Sequence, residues 1–295
     1  MASSKNVSLL RKLLVDADNI ASSASGNKFP VPLSPIAKRR RVTQVDFSPL
    51  LVDAMLTTHS EGFRVLLDPN EADPEKLKSS YQSEGSGKLL PTRLRFSLAH
   101  ELAHTFFYDY AEGRPEVVKS FRPGGGRTAL ENLEKYCDKI AAHLLLPTPM
   151  VKTWFLKHRS FSPQKLLEFA AEAGVSIEAL IHRLNEMTSV FLETSFYGCI
   201  ILLKRGTDGM KIAAMARPRN MSIARELGLM SVGKDWSLTD HSGSKIAPED
   251  LVSAEVVNLT VKTERSSIGI DYHISVSAIN SRGDFRTLLV TFQQK

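Results

Sequence analysis

Cysteine is scarce in this 295-residue chain. The two present, Cys137 and Cys199, are too few and too far apart for a disulfide framework or a four-cysteine zinc site, so a reducing compartment is the simplest reading. Long hydrophobic runs are missing as well. The most apolar stretches, Ile140 to Pro147 and Cys199 to Leu203, fall far short of the roughly 20 residues a membrane span requires, and no membrane partner is expected. A secretory pattern is also absent, because Arg11 and Lys12 interrupt Val7 to Val15 and Asp16 and Asp18 follow where a small-residue cleavage site would stand. The expected location is cytoplasmic. The triple glycine at 124 to 126 lacks the Lys and Ser/Thr of a phosphate-cradling loop and reads instead as a flap bordering a cleft.

The composition is that of a globular protein, with 42% apolar and 24% charged residues, which excludes the weakly hydrophobic, highly charged regime of disordered chains. At roughly 150 residues per domain the length predicts two domains, or three if one is a small helical module. The net charge of +6 is uneven. Residues 1 to 60 carry eight positive and four negative side chains, whereas residues 61 to 190 carry 17 of each. The surplus centres on Lys38, Arg39, Arg40 and Arg41, a candidate nucleic-acid contact or, since no aromatic platform is interleaved with it, a solvated helix end.

Leu9, Leu10, Leu13 and Leu14 recur at helical spacing, so Val7 to Ala17 predicts a short amphipathic helix, and Ala21 to Pro35 reads as a flexible Ser-, Gly- and Pro-rich connection. Gly62 to Asp68 predicts a buried strand whose edge could take an extended peptide. Asn70 to Gly87 reads as polar loop, and Thr92 to about Asp109 as helix. Thr128 with Glu131 forms a capping box that opens a helix running to Leu146, where Pro147 stops it. Two shorter helices follow, starting at Ser162-Pro163 and at Ser176, with a tight turn at Gly174-Val175 between them. That is helix-turn-helix spacing, but Glu168, Glu172, Glu178 and Glu186 make one face acidic and unsuited to phosphates, so a packing role is expected. From Tyr197 onward five β-rich runs (CIILLKR, MKIAAMA, AEVVNLTVKTE, GIDYHISVSAI, FRTLLVTFQ) predict a separate α+β domain.

The chemistry concentrates in His100-Glu101-Leu102-Ala103-His104. Histidines at i and i+4 of a helix lie about 40° apart around its axis and can aim imidazole nitrogens at one metal, with Glu101 beside the open coordination position. Downstream, Glu134 and Asp138 are again i and i+4 on one helical face. One helix can therefore deliver a carboxylate to the metal and a second carboxylate to a ligand imidazole, where it would fix the tautomer. Tyr108 lies one helical turn past His104 as a candidate oxyanion stabiliser or a core aromatic. Cys137 could approach the metal as an extra ligand or be a small buried residue. His143, nine residues from Glu134, points to the far side of its helix and is rejected as a ligand, and His59, His158, His182, His241 and His273 have no partners at metal spacing.

The stretch Arg95-Phe96-Ser97-Leu98-Ala99-His100-Glu101-Leu102-Ala103-His104, followed by Glu134, Asp138, Ala141, Ala142 and Leu144-Leu145-Leu146-Pro147, resembles the ImmA/IrrE family of metallopeptidases. Cys137, where that family usually has Ala, and His143 depart from its pattern. The resemblance implies an α+β fold in which an N-terminal helix and linker (1–29) precede a zincin-like metallopeptidase domain (30–150). A helix-turn-helix-like module (151–192) and a GAF-like sensor domain (193–295) would follow. It implies His100, His104 and Glu134 as zinc ligands and Glu101 as general base, with one Zn2+ per chain and Mn2+ as a substitute in vitro. It further implies site-specific cleavage of a helix-turn-helix (XRE-type) repressor encoded nearby, derepressing stress, DNA-damage or defence genes, with a nucleic acid or small molecule signalling through the C-terminal domain. The competing reading is a non-catalytic, metal-containing signalling or DNA-binding regulator; an intact Glu101 argues against it, because a structural site needs no base.

Overall fold

The structure is a computed structural model. It describes residues 4–84, 88–109, 116–117, 127–158, 161–187, 198–206, 209–216, 238–239, 245–246, 257–261, 270–280 and 286–294. The triple glycine and His241 lie outside them. The chain is mixed α+β and forms two compact units, Met1–Val151 with Ala171–Ser176, and Lys152–Ala170 with Ile177–Lys295. Among the described residues no helix is long and apolar enough to cross a membrane.

The first unit opens with α1 (Ser4–Ser25), longer than the Val7–Ala17 helix expected. Ala17 and Ala21 are fully buried where α1 packs on a later helix, and this packing carries the helix through a Ser-rich stretch of low intrinsic propensity. The expected flexible connection is therefore mostly ordered, since α2 (Leu33–Arg39) follows with Leu33, Ile36 and Ala37 buried. A three-stranded sheet comes next, built from β1 (Val42–Phe47), β2 (Ala54–His59) and β3 (Gly62–Leu67) in the order β1-β3-β2. β3 pairs parallel with β1 and antiparallel with β2. Phe63, Val65 and Leu67 alternate into the core at 0% exposure.

The strand expected at 62–68 is present, but it is the central one, so neither of its edges can receive a peptide. The edge strands are β1 and β2, and of these β2 packs beside the histidine-bearing helix.

α3 (Pro74–Gln82) occupies the segment expected to be loop: Asp73 caps it by accepting from Glu75 N at 3.0 Å, and Pro74 sits at N1. α4 (Thr92–His104) ends earlier than expected, in a short 3₁₀ turn (Thr105–Phe107) that leads into β4 (Tyr108–Asp109), paired with β5 (Glu116–Val117). α5 (Arg127–Leu145) packs against both α4 and α1.

α6 (Thr148–His158) was not anticipated. Pro147 follows the end of α5 as expected, while Pro149 is tolerated in the first turn of α6, which Val151 N closes by donating to Pro147 O. α7 (Pro163–Ala173) and α8 (Ile177–Glu186) follow, separated by Gly174 at φ +64.

The five β-rich runs all form strands of one antiparallel sheet in the second unit. These strands are β6 (Gly198–Gly206), β7 (Gly209–Ala216), β10 (Val257–Val261), β11 (Ile270–Asn280) and β12 (Arg286–Gln294), ordered β10-β11-β12-β6-β7. The short pair β8 (Leu238–Thr239) and β9 (Lys245–Ile246) stands apart from that sheet. α8 packs on β6 and β7, whose Ile200, Ile201, Leu202, Leu203, Ile212 and Ala214 are buried.

Candidate metal centre

α4 buries Leu98, Ala99, Leu102 and Ala103, which leaves His100 and His104 at the rim of the core, partly exposed. α5 meets it with Cys137, Ile140, Ala141 and Leu144 buried and Glu134 and Asp138 on an exposed shoulder. The helices place three donor atoms together. His100 Nε2 lies 3.0 Å from Glu134 Oε2 and 3.2 Å from His104 Nε2, and His104 Nε2 lies 3.7 Å from Glu134 Oε2. Bonds of about 2.0–2.1 Å at tetrahedral angles set ligand atoms about 3.3 Å apart, so this spacing fits a zinc-sized ion. Glu101 also offers a carboxylate oxygen within 4.8 Å of both histidines. Glu134 Oε2 stands within 3.7 Å of the Nε2 atoms of both histidines.

The donor chemistry gives the same answer as the spacing. Asp138 Oδ1 stands 2.9 Å from His100 Nδ1, and an ionised carboxylate can only accept, so Nδ1 carries the proton and Nε2 keeps its lone pair. That lone pair faces the Glu134 carboxylate and the second imidazole, an arrangement a cation stabilises. Burial works against a charge on His100, but Asp138, Glu101 and Glu134 outweigh it and raise its pKa. Burial and the neighbouring His100 lower that of His104. Burial foremost, with Glu134 adding to it, raises Glu101, against the pull of His100 and of the Leu56 backbone N–H, which donates to its carboxylate from β2.

The other candidate residues are placed as follows. Tyr108 is extended rather than helical, and its ring packs edge-on against buried Phe63 at 5.1 Å. Arg40 is committed inside the first unit: Nε donates to Thr105 Oγ1 at 3.0 Å, Nη2 donates to Thr105 O, and the guanidinium lies 4.3 Å from the Phe106 ring centroid. Of the basic run only Lys38, Arg39 and Arg41 are exposed. His143 turns away from the centre to Asp18, Nδ1 to Oδ1 at 2.9 Å. Cys137, fully buried, brings Sγ within 3.4 Å of His104 Nδ1; burial and then the carboxylates of Glu134, Glu101 and Asp138 push its thiol pKa up.

Sequence reasoning gave Arg95 no role. It is fully buried, donating through Nη1 to Glu84 Oε1 at 2.7 Å, through Nη2 to Val31 O at 2.8 Å and through Nε to Gly174 O at 3.2 Å. Glu84 Oε2 in turn accepts from Leu33 N at 2.8 Å and Ser34 N at 3.1 Å, capping α2. This network fixes α4 against the start of the fold. No sequence signal pointed to Glu84, which sits in a segment read as loop.

Two histidines one turn apart, a glutamate beside the first and a carboxylate from a facing helix define an HExxH-type centre. Residues 86–185, about a third of the chain, match the peptidase M78 family profile described as IrrE N-terminal-like domain. A solved Mycobacterium tuberculosis transcriptional regulator is similar in structure, with a TM-score of 0.51 and 12% identity over 96% of this chain and 76% of that one. At that identity the likeness speaks for the fold alone. None of the curated proteins matches the chain.

Proposed function

We propose that the protein is a zinc-dependent, site-specific endopeptidase that cleaves a helix-turn-helix (XRE-type) repressor and so derepresses stress, DNA-damage or defence genes. The observation that carries this reading is the convergence of His100 Nε2, His104 Nε2 and Glu134 Oε2 within 3.0–3.7 Å, with the Glu101 carboxylate beside them. In it, His100, His104 and Glu134 hold the metal, and Asp138 accepts from His100. Bound zinc would supply Lewis acidity toward a water and toward the scissile carbonyl. Glu101 takes the water's proton and returns it to the leaving amine. Its burial in the core side of α4 keeps bulk water from competing for that proton.

The substrate enters as an extended segment on the outer edge of β2, pairing by β-augmentation. β2 suits this role because it is an edge strand that packs beside α4, the helix that carries Glu101. In the same reading the fold is zincin-like through residue 150, the α7–α8 pair is a helix-turn-helix-like packing module, and the C-terminal sheet belongs to a GAF-like sensor of a nucleic acid or small molecule. The protein would act in the cytoplasm.

Incubating the zinc-loaded protein with the repressor encoded beside its gene tests the reading. A single cut that a chelator abolishes and added zinc restores is expected. An intact repressor under every inducing condition would refute it and leave a metal-containing regulator without catalysis.

A further inference from the structure

Cys137 sits on α5 between the two carboxylates of the centre, three residues after Glu134 and one before Asp138. Its Sγ lies 3.4 Å from His104 Nδ1, the ring nitrogen turned away from the convergent donor atoms. A thiol there faces the back of the imidazole, away from the convergent donor atoms.

We infer that Cys137 is a positioning residue for His104: its sulfur accepts the Nδ1–H and holds the tautomer and ring angle that present Nε2 to the metal. The inference rests on the proposed metal centre. The two histidines then have matching supports from consecutive residues of one helix, Asp138 Oδ1 at 2.9 Å from His100 Nδ1 and Cys137 Sγ behind His104. Consecutive residues on a helix differ by about 100° in direction, which lets a single segment of α5 reach behind both rings. The supports differ in strength. A carboxylate is a charged, strong acceptor, whereas thiol sulfur is a weak one, so His104 is the less electron-rich ligand and the one more dependent on fixed geometry.

The test uses the full chain with Cys137→Ala and Cys137→Ser. Zinc affinity is measured by competition with a chromophoric chelator, the d–d absorption of the Co2+-loaded protein is recorded, and the metal-free forms are melted in parallel. Cys137→Ala is expected to weaken zinc about 10-fold, the lower end of what outer supports contribute, and to shift the cobalt band without a matching drop in the metal-free Tm. Cys137→Ser, whose oxygen also accepts, is expected to recover most of the affinity even if the smaller variant folds less well. Unchanged affinity and an unchanged cobalt band in Cys137→Ala would overturn the inference. So would equal weakening in both variants, or a thiolate-to-cobalt charge-transfer band that Cys137→Ala abolishes, since the latter would make the sulfur a ligand. Failure of the unaltered chain to bind zinc would instead refute the metal centre itself.

Discussion

Arg95 and Glu84 form an ion pair from which solvent is excluded, with Nη1 and Oε1 2.7 Å apart and side-chain exposures of 0% and 1%. Each of the three guanidinium nitrogens donates to an oxygen, and the carboxylate also caps α2. Removing one partner strands the other's charge in the core. Arg95→Met should therefore destabilise the first unit by about 3–5 kcal/mol, whereas Arg95→Met combined with Glu84→Gln should lose less than Arg95→Met alone. Urea unfolding of the two variants beside the parent checks this, and an Arg95→Met protein as stable as its parent would remove the argument.

Glu101→Gln and Asp138→Ala should separate catalysis from metal retention. Glutamine keeps the size of the side chain but cannot take a proton, so cleavage should fall by at least 10²-fold while zinc content stays at the parental level. Asp138→Ala removes the acceptor behind His100 and should weaken zinc by about 10–100-fold, with activity recovering as zinc is added. Metal analysis beside a cleavage assay reads both, and loss of zinc in Glu101→Gln would show that this residue is a ligand rather than the base.

Gly62 has φ +154, and a Cβ built there would stand 2.1 Å from Arg41 O, a backbone atom that already accepts from Phe63 N. The backbone at this junction of β1 and β3 cannot step aside without breaking that bond. Gly62→Ala should cost more than about 2 kcal/mol. At Gly26, φ +58, a Cβ would meet nothing within 4 Å, so Gly26→Ala should cost only the conformational strain, about 1 kcal/mol. Comparable denaturation midpoints for the two variants would contradict this ranking.

Asp18 supplies a pH dependence. Burial alone would raise its carboxyl, but His143 and the Thr148 N–H, which donates to Oδ1 at 2.9 Å, more than offset that and lower its pKa. A carboxyl held lower in the folded state than in the unfolded chain stabilises the fold above its ordinary pKa of 3.8, and that contribution is lost as the pH falls through the folded value. The parent should therefore lose stability more steeply than Asp18→Asn below about pH 4. Parallel slopes for the two proteins would show that the pair contributes nothing through titration.

The metal helices were legible because their information is local: residues four apart share a face, so His100 with His104 and Glu134 with Asp138 announce themselves in the sequence. The five C-terminal runs were legible for the same reason, since strand texture repeats every second residue. What could not be read was whatever another part of the chain decides. The helix from Ala21 to Ser25 exists because buried alanines meet α5, and Asp18 finds His143 across 125 positions. β3 looked like a strand from its own residues, but its central place follows from partners on both sides. Two local signals went unused: Asp73-Pro74 is a helix start inside a polar segment, and Pro149 fits the first turn of α6.

α5 shows Glu134, Cys137 and Asp138 to one neighbour and His143 to another, on the opposite side of its axis. Its rotational phase is thus pinned from both sides. A slip of one residue would swing every side chain by about 100° and release the α1 contact and the α4 contacts in the same movement. Through this helix the N-terminal α1, far from the chemistry in sequence, shares in setting the aim of the carboxylates.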